Sequence, residues 1–273
     1  MQLGVSSYAF GWAVGLPGHV PKNPFNELDL LAFARGQKLS VVQFGDHLPI
    51  HTYDVAHLTR IREFASASGE EIRIETGARG LTEFHLQRYI DSSKILRARL
   101  LRFVVDGPDY EPAAKEIIAL LRSAGPLLVE ADLILGIENH DRFPAKTLRS
   151  IIEAVGSERI GICLDTVNSL GAGEGFDQVL DQLGPHTVNL HIKDFTVSRV
   201  PSAMGFIVEG RPAGSGMLDV PAILNRLESH RRCETAVLET WTTTGHTLAD
   251  TIDRERRWVE ESLAYLKPLF LSA

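Results

Sequence analysis

Short apolar, β-branched runs alternate along this chain with longer stretches in which apolar residues recur at i, i+3 and i+4. Eight runs have strand character: Gln2–Ser6, Ser40–Phe44, Ile72–Thr76, Leu100–Val105, Leu133–Glu138, Ile160–Asp165, Thr187–His191 and Thr235–Glu239. Between them lie helical patterns such as Leu28, Leu30, Leu31 and Phe33, or Leu58, Ile61 and Phe64, or Ile117, Ile118, Leu120 and Leu121. A last helix is predicted over Leu248–Leu266, with Pro268 beyond to stop it. Strands separated by helices must run parallel, and eight such units close into a (β/α)8 barrel whose functional face lies at the strand C-termini. The pattern therefore predicts an α/β protein with one barrel domain over residues 1–273. An open doubly wound sheet is the alternative, but no G-x-G-x-x-G follows the first strand and no G-x-x-x-x-G-K-[ST] occurs. The segment Phe195–Leu218, rich in Gly and Pro, is too long for an ordinary βα connection and suggests a lid or binding loop.

Composition narrows the partners. The 273 residues are 44% apolar and 23% charged, as in soluble globular proteins. A net charge of −7 argues against a protein that grips nucleic-acid phosphates or anionic lipid. No apolar run approaches a membrane span and the N-terminus lacks a leader pattern. Cys163 and Cys233, both in apolar runs, read as small buried thiols, and a reduced cytoplasmic setting is expected.

Candidate chemistry sits at the ends of the last four barrel strands: Glu138 in LGIENHD, Asp165 in GICLDTVN, His191 in VNLHIKD and Glu239 in AVLETW. They are spaced 27, 26 and 48 residues apart, one barrel repeat twice and then a repeat plus the long insertion. Four strands thus deliver them to one mouth. Singly, each has a bland explanation as a helix cap or a satisfied polar group. Together, three carboxylates and an imidazole compensate one another's desolvation around a divalent cation. The oxygen-rich set favours Mn²⁺ or Mg²⁺, with Co²⁺ or Zn²⁺ acceptable.

These residues carry a resemblance to the sugar-phosphate isomerase/epimerase superfamily, the xylose-isomerase-like TIM barrels that also include AP endonucleases. The resemblance covers nearly the whole chain and rests on Glu138-Asn139-His140, Leu164-Asp165-Thr166, His191-Ile192-Lys193-Asp194, Gly214–Asp219 and Leu238-Glu239. It implies that Glu138, Asp165, His191 and Glu239 bind one divalent metal. In the superfamily's ketose 3-epimerases the two glutamates also act as acid and base on opposite faces of the substrate. Two positions depart from those epimerases: Asn168 stands where a histidine often follows the aspartate, and Val197 where an arginine often follows the histidine ligand. Arg199 or Arg211 from the long insertion could replace that arginine. Endonuclease members use a larger histidine set that this acidic chain lacks, which argues against DNA repair. The resemblance allows a homo-oligomer.

Other residues near the mouth carry two readings each. Tyr8, Phe10 and Trp12 could form an apolar wall against a sugar or pack under a loop. His47 could bond a substrate hydroxyl or be a solvated loop histidine. Glu75 and Arg79 could form a salt-linked pair, or Arg79 could clamp a substrate acid group. His140, two residues after Glu138, points to the same side as that residue in extended geometry and suits a substrate contact. Lys193 could polarise an oxyanion, or bridge to Asp194 or a ligand carboxylate. Trp241 could line the pocket or be buried beneath the following loop, and Arg254, Arg256 and Arg257 face water on the simplest reading. The leading expectation is a metal-dependent isomerase or epimerase of a small polyhydroxylated carbonyl compound, acting by proton abstraction next to the carbonyl through an enediolate, with Glu138, Glu239 and Lys193 as catalytic groups. A dehydratase or lyase on a keto-inositol or dehydroshikimate-like substrate shares the first step. A non-catalytic sugar-binding barrel is the third reading.

Overall fold

In the computed structural model, which describes residues 1–69, 71–80, 82–107 and 109–271, the eight expected runs become Gln2–Ser6 (β1), Val41–Phe44 (β2), Arg73–Arg79 (β3), Leu100–Val104 (β4), Ile134–Glu138 (β5), Ile160–Asp165 (β6), Thr187–Ile192 (β7) and Thr235–Leu238 (β10). They pair in parallel in the order β1-β10-β7-β6-β5-β4-β3-β2 and close on themselves. The insertion forms an antiparallel hairpin, Asp194–Arg199 (β8) against Phe206–Arg211 (β9). Helices Gly11–Val14 (α1), Glu27–Gly36 (α2), Val55–Ala65 (α3), Glu83–Leu96 (α4), Ala114–Glu130 (α5), Ala145–Val155 (α6), Phe176–Leu183 (α7), Val220–His230 (α8) and Leu248–Leu271 (α9) occupy the connections. Among the described residues no helix is long and apolar enough to cross a membrane.

Local chemistry accounts for several boundaries. Asn26 and Asp29 cap the start of α2 reciprocally, and Asp54 and Asp219 accept backbone N–H groups at the starts of α3 and α8. Most boundaries fall within one residue of expectation, and two differ by more. Strand β3 continues past Thr76 because Ala78 and Arg79 find partners in Phe103 and Val104. Pro268 lies inside α9, which continues to Leu271; so close to the helix end it removes a single backbone donor, too little to stop the chain.

The outer faces of the strands and the inner faces of the helices supply one apolar core, which includes Leu30, Ile61, Leu121, Ile152, Val179 and Leu263. The barrel interior is polar instead. Strand period 2 turns Gln43, Glu75, Asn189 and Thr235 inward, and pairing sets Gln43 beside Glu75 and Asn189 beside Thr235 and Cys163. All five are buried.

Helix α9 tethers the first βα loop. Buried Glu255 accepts hydrogen bonds from the backbone N–H groups of Trp12 (2.9 Å) and Ala13 (3.0 Å). Burial pushes its carboxyl up to about 7 despite those two donors. The neutral form is thus favoured in the folded state, so this stabilisation is complete below the unfolded value of about 4.5 and is lost as pH rises through 7. Measured by urea unfolding at pH 5 and pH 8, the stability of the native protein relative to Glu255→Gln is expected to fall by up to about 3 kcal/mol. An unchanged difference would show that Glu255 does not titrate in this range.

Candidate functional site

Glu138 ends β5, Asp165 ends β6, His191 lies one residue before the end of β7, and Glu239 follows β10. All four are buried at one mouth. Glu138, Asp165 and His191 each offer an atom within 4.8 Å of the others. Glu239 adds Oε1 at 3.3 Å from His191 Nδ1.

Neighbouring residues aim these groups. Asp165 Oδ1 accepts the backbone N–H groups of Val167 and Asn168, both at 2.8 Å, which turns Oδ2 into the cup. Asn139 bonds both backbone groups of Asp165, and Thr166 Oγ1 bonds both backbone groups of Lys193, tying neighbouring strand tips together. Nε2 of His191 meets Gln43 Oε1 at 2.8 Å, so Nε2 donates and Nδ1 faces the carboxylates. Lys193 Nζ spans Asp165 Oδ2 and Glu239 Oε2, each at 2.8 Å.

Arg102 escaped the sequence reading. It projects into the barrel from β4, only 3% exposed, and pairs its Nε with Glu138 Oε2 and its Nη1 with Asp46 Oδ1 at 2.6 Å. Asn168 Nδ2 donates to Glu138 Oε1 at 2.9 Å. The available signal was an arginine inside the apolar run Leu100–Val105, where an unpaired charge is untenable. Asp46, Gln43 and Asn189 were missed as well, because loop polarity and amide side chains carry no comparable sign.

Burial opposes ionisation of Glu138, but Arg102, with His191 and Lys193, outweighs it and holds the carboxyl well below the ordinary range. Glu239 is lowered against its burial by His191 and Lys193. Burial disfavours the His191 imidazolium, yet Glu239, Glu138 and Asp165 raise it. The same carboxylates raise Lys193 against its burial.

The residues fit a divalent cation. Among the described residues, Nδ1 of His191 and Oε1 of Glu239 are buried without a hydrogen-bond partner. Three carboxylates converging on a single imidazole nitrogen form the oxygen-rich donor set that such an ion satisfies.

A cleft of about 480 Å³ opens above this cup, lined by Tyr8, His140, Asn168, Lys193, Val208 and Trp241 among others. A larger cavity of about 1140 Å³ lies at the opposite end of the barrel, around Gln2, Arg73 and Glu234. It is remote from the clustered acids, and barrel chemistry sits at strand C-termini.

Other expected residues take defined places. His47 packs edge-on against Tyr8 at 4.1 Å and is not a solvated loop histidine: both ring nitrogens are buried, and burial pushes it down to about 4. Glu75 and Arg79 do not pair; Glu75 meets Arg73, while Arg79 meets Asp46 at 3.3 Å, because β3 carries Glu75 into the barrel floor and Arg79 to its rim. Phe10 packs against Phe25 and Phe33 in the core, and Trp12 Nε1 donates to the Thr242 carbonyl. Lys193 takes the Asp165 and Glu239 carboxylates, whereas Asp194 accepts from the N–H groups of Phe195, Gly214, Gly216 and Leu218 and anchors the hairpin. Arg211 pairs with Glu209, and Arg199 stacks on Phe206 near the hairpin tip. Arg254 is not simply solvated: it donates to Thr243 and Thr244.

A family model for xylose isomerase-like TIM barrels matches residues 53–269. A 3-oxo-isoapionate decarboxylase of Pectobacterium atrosepticum is 30% identical over 266 residues, covering 97% of this chain and 95% of that protein. Among solved structures, D-psicose 3-epimerase with D-tagatose from Clostridium cellulolyticum H10 superposes with a TM-score of 0.73 at 12% identity, covering 99% of each chain. A xylose isomerase-like TIM barrel protein from Mycobacterium smegmatis in complex with magnesium does so with a TM-score of 0.70 at 13% identity, covering 97% of each chain. At such identities the structural likenesses speak to fold alone.

Proposed function

This chain belongs to the xylose isomerase-like TIM barrel family, and we propose that it is a divalent-metal-dependent enzyme of carbohydrate metabolism that removes CO₂ from a small polyhydroxylated 3-oxo acid. The observation that carries the lyase reading is the double engagement of Glu138, by Arg102 on one oxygen and Asn168 on the other. An epimerase needs this residue to trade a proton with the substrate, and a carboxyl that Arg102 holds well below the ordinary range is a weak base for that exchange. Loss of CO₂ asks less of it. The C1–C2 bond breaks, its electron pair moves towards the ketone oxygen, and a proton then replaces the carboxyl group on C2. The nearly full-length decarboxylase relative supports the same choice.

Glu138, Asp165, His191 and Glu239 would hold the ion, Mn²⁺ or Mg²⁺ by donor chemistry with Co²⁺ or Zn²⁺ acceptable. Bound there, it would supply Lewis-acid polarisation of the substrate carbonyl. Lys193 presents an ammonium to the developing oxyanion or the substrate acid group. His47 backs Tyr8, which lines the cleft, and Asn168, His140 and Trp241 would face the substrate from the cleft wall. Arg79 and Arg211 are held by carboxylates and would contact substrate only after exchanging those partners.

Isomerisation or epimerisation is the second reading, favoured by Glu239 Oε1, which has no donor among the described residues and could serve as a base. The two are separated by incubating Mn²⁺-loaded protein in deuterated water with 3-oxo sugar acids and with ketoses. Decarboxylation predicts CO₂ release and deuterium on C2 of the product. Deuterium in recovered ketose with no CO₂ from any acid overturns it in favour of the second reading. Ligand binding without turnover would leave a sugar-binding barrel.

The hairpin supplies a further prediction. A Cβ at Gly210 would lie 1.9 Å from the Trp241 carbonyl oxygen, so β9 lies directly on the segment that carries Trp241. Gly210→Ala is expected to lift the hairpin off the cleft and lower kcat/KM by about 100-fold while sparing metal affinity. Calorimetric titration beside steady-state kinetics checks this, and equal loss of both would refute a lid role.

A further inference from the structure

At the floor of the barrel, Glu75 is fully buried and faces only donors: Thr235 Oγ1 at 2.8 Å, Gln43 Nε2 at 3.1 Å, Asn189 Nδ2 at 3.2 Å and Arg73 Nε at 3.4 Å. The mechanism above makes no use of it. Burial raises the Glu75 carboxyl, with Arg73, Thr235 and Gln43 acting against that, and a carboxylic proton would meet donors on every side; the geometry is that of an accepting carboxylate, towards which both amides turn their NH₂ groups. The second N–H of Gln43 goes to Asn189 Oδ1 at 3.2 Å, which also takes the Cys163 thiol at 3.1 Å. Flipping the Gln43 amide would set its oxygen against the Glu75 carboxylate and the Asn189 carbonyl. Gln43 Oε1 is therefore obliged to face His191 Nε2, at 2.8 Å.

We propose that Glu75 is a positioning residue that acts through Gln43 to keep a proton on His191 Nε2 and so present Nδ1 to the acidic cup. The proposal rests on the reading of His191 as a metal ligand. It follows from the polarity that an accepting Glu75 carboxylate imposes on Gln43, and Nε2 then carries a proton whether or not Nδ1 does. Partners of this kind fix the orientation of ligating imidazoles, and losing one lowers metal affinity about 10- to 100-fold.

The test uses full-length protein labelled with ¹⁵N-histidine, without metal and with Mg²⁺, and assigns the His191 Nε2–H signal by its disappearance in His191→Asn. A slowly exchanging Nε2–H signal is expected in the native protein. Glu75→Gln, which can still offer an oxygen to Gln43, should retain it. Glu75→Met and Gln43→Met should each lose it, and Mg²⁺ affinity by calorimetry should fall about 10- to 100-fold in each. Two residues acting in series predict that the double variant loses no more than either single one. If Glu75→Met does not fold, Glu75→Asp, which withdraws the carboxylate by one methylene, carries the same expectation. A protected signal with unchanged affinity in folded Glu75→Met or Glu75→Asp overturns the proposal, as do additive losses in the double variant. Should the native protein bind no divalent ion, the functional reading fails while the metal-free spectra still decide the role of Glu75.

Discussion

Replacing Glu239 with glutamine is expected to lower divalent-ion affinity by at least about 10-fold and turnover by about 1000-fold. The substitution keeps shape and removes charge. Glu239 stands between two nitrogens, with Oε1 at 3.3 Å from His191 Nδ1 and Oε2 at 2.8 Å from Lys193 Nζ. A glutamine must direct its NH₂ at one of them. If it faces Lys193, a donor meets a donor; if it faces Nδ1, it occupies the nitrogen that the ion needs. In either orientation the cup loses one of three negative charges. Metal content after dialysis and the rise in melting temperature on adding Mn²⁺ read the first effect, since binding to the folded state stabilises by about 2.7 kcal/mol at a hundred times Kd. Full turnover with native metal content in Glu239→Gln would remove this residue from the site.

Arg102→Leu is expected to destabilise the metal-free protein by about 3–5 kcal/mol, the range for breaking a buried ion pair on one side. The guanidinium joins Glu138 and Asp46 and lies over the Tyr8 ring at 5.6 Å, so its loss strips Glu138 of its paired guanidinium and leaves Asp46 with Arg79 alone. Burial tends to raise both, and Arg102 outweighs it to hold both below their ordinary values. Their stabilisation is therefore present above the unfolded values near pH 4 and is lost as pH falls through the folded ones. Arg102→Leu should flatten that acid limb as well as lower the urea midpoint at pH 7. Arg102→Lys keeps the charge without the planar fork and should fall between the two. Adding Asp46→Asn to Arg102→Leu should restore part of the loss, because it removes one stranded charge. A loss below about 1 kcal/mol at pH 7, with the acid limb intact, would mean that solvent already compensates these carboxylates.

How much could be read in advance differs between the strand tips and the barrel floor. Glu138, Asp165, His191 and Glu239 were legible because each ends an apolar run, and a spacing of one barrel repeat, lengthened by the insertion before the last, implies equivalent positions on neighbouring strands of a closed sheet. Lys193 was legible as a cation two residues beyond His191, though the choice between Asp194 and the Asp165 and Glu239 carboxylates was not. Asp194 instead serves four backbone donors of the hairpin, a role set by a loop that returns from about twenty residues away. The expected Glu75–Arg79 pair failed because a period of two places both on the inner side of β3 but at different depths, where Arg73 of the same strand and Asp46 of the loop after β2 are the closer partners.

The order of residues along the chain was enough to specify the alternation of strand and helix, the closed barrel that follows from it, and the convergence of four acidic or imidazole tips on one mouth. These are consequences of local period and regular spacing, which a chain carries in one dimension. Three further features needed the folded barrel: which nitrogen of His191 faces the cup, the pairing of Arg102 with Glu138, and the network of Gln43, Glu75 and Asn189 beneath it. Gln43 and Asn189 are 146 residues apart yet 3.2 Å from each other. Such contacts cross the barrel between strands that are distant in sequence, and they exist only once closure and register have set every inward side chain at its depth.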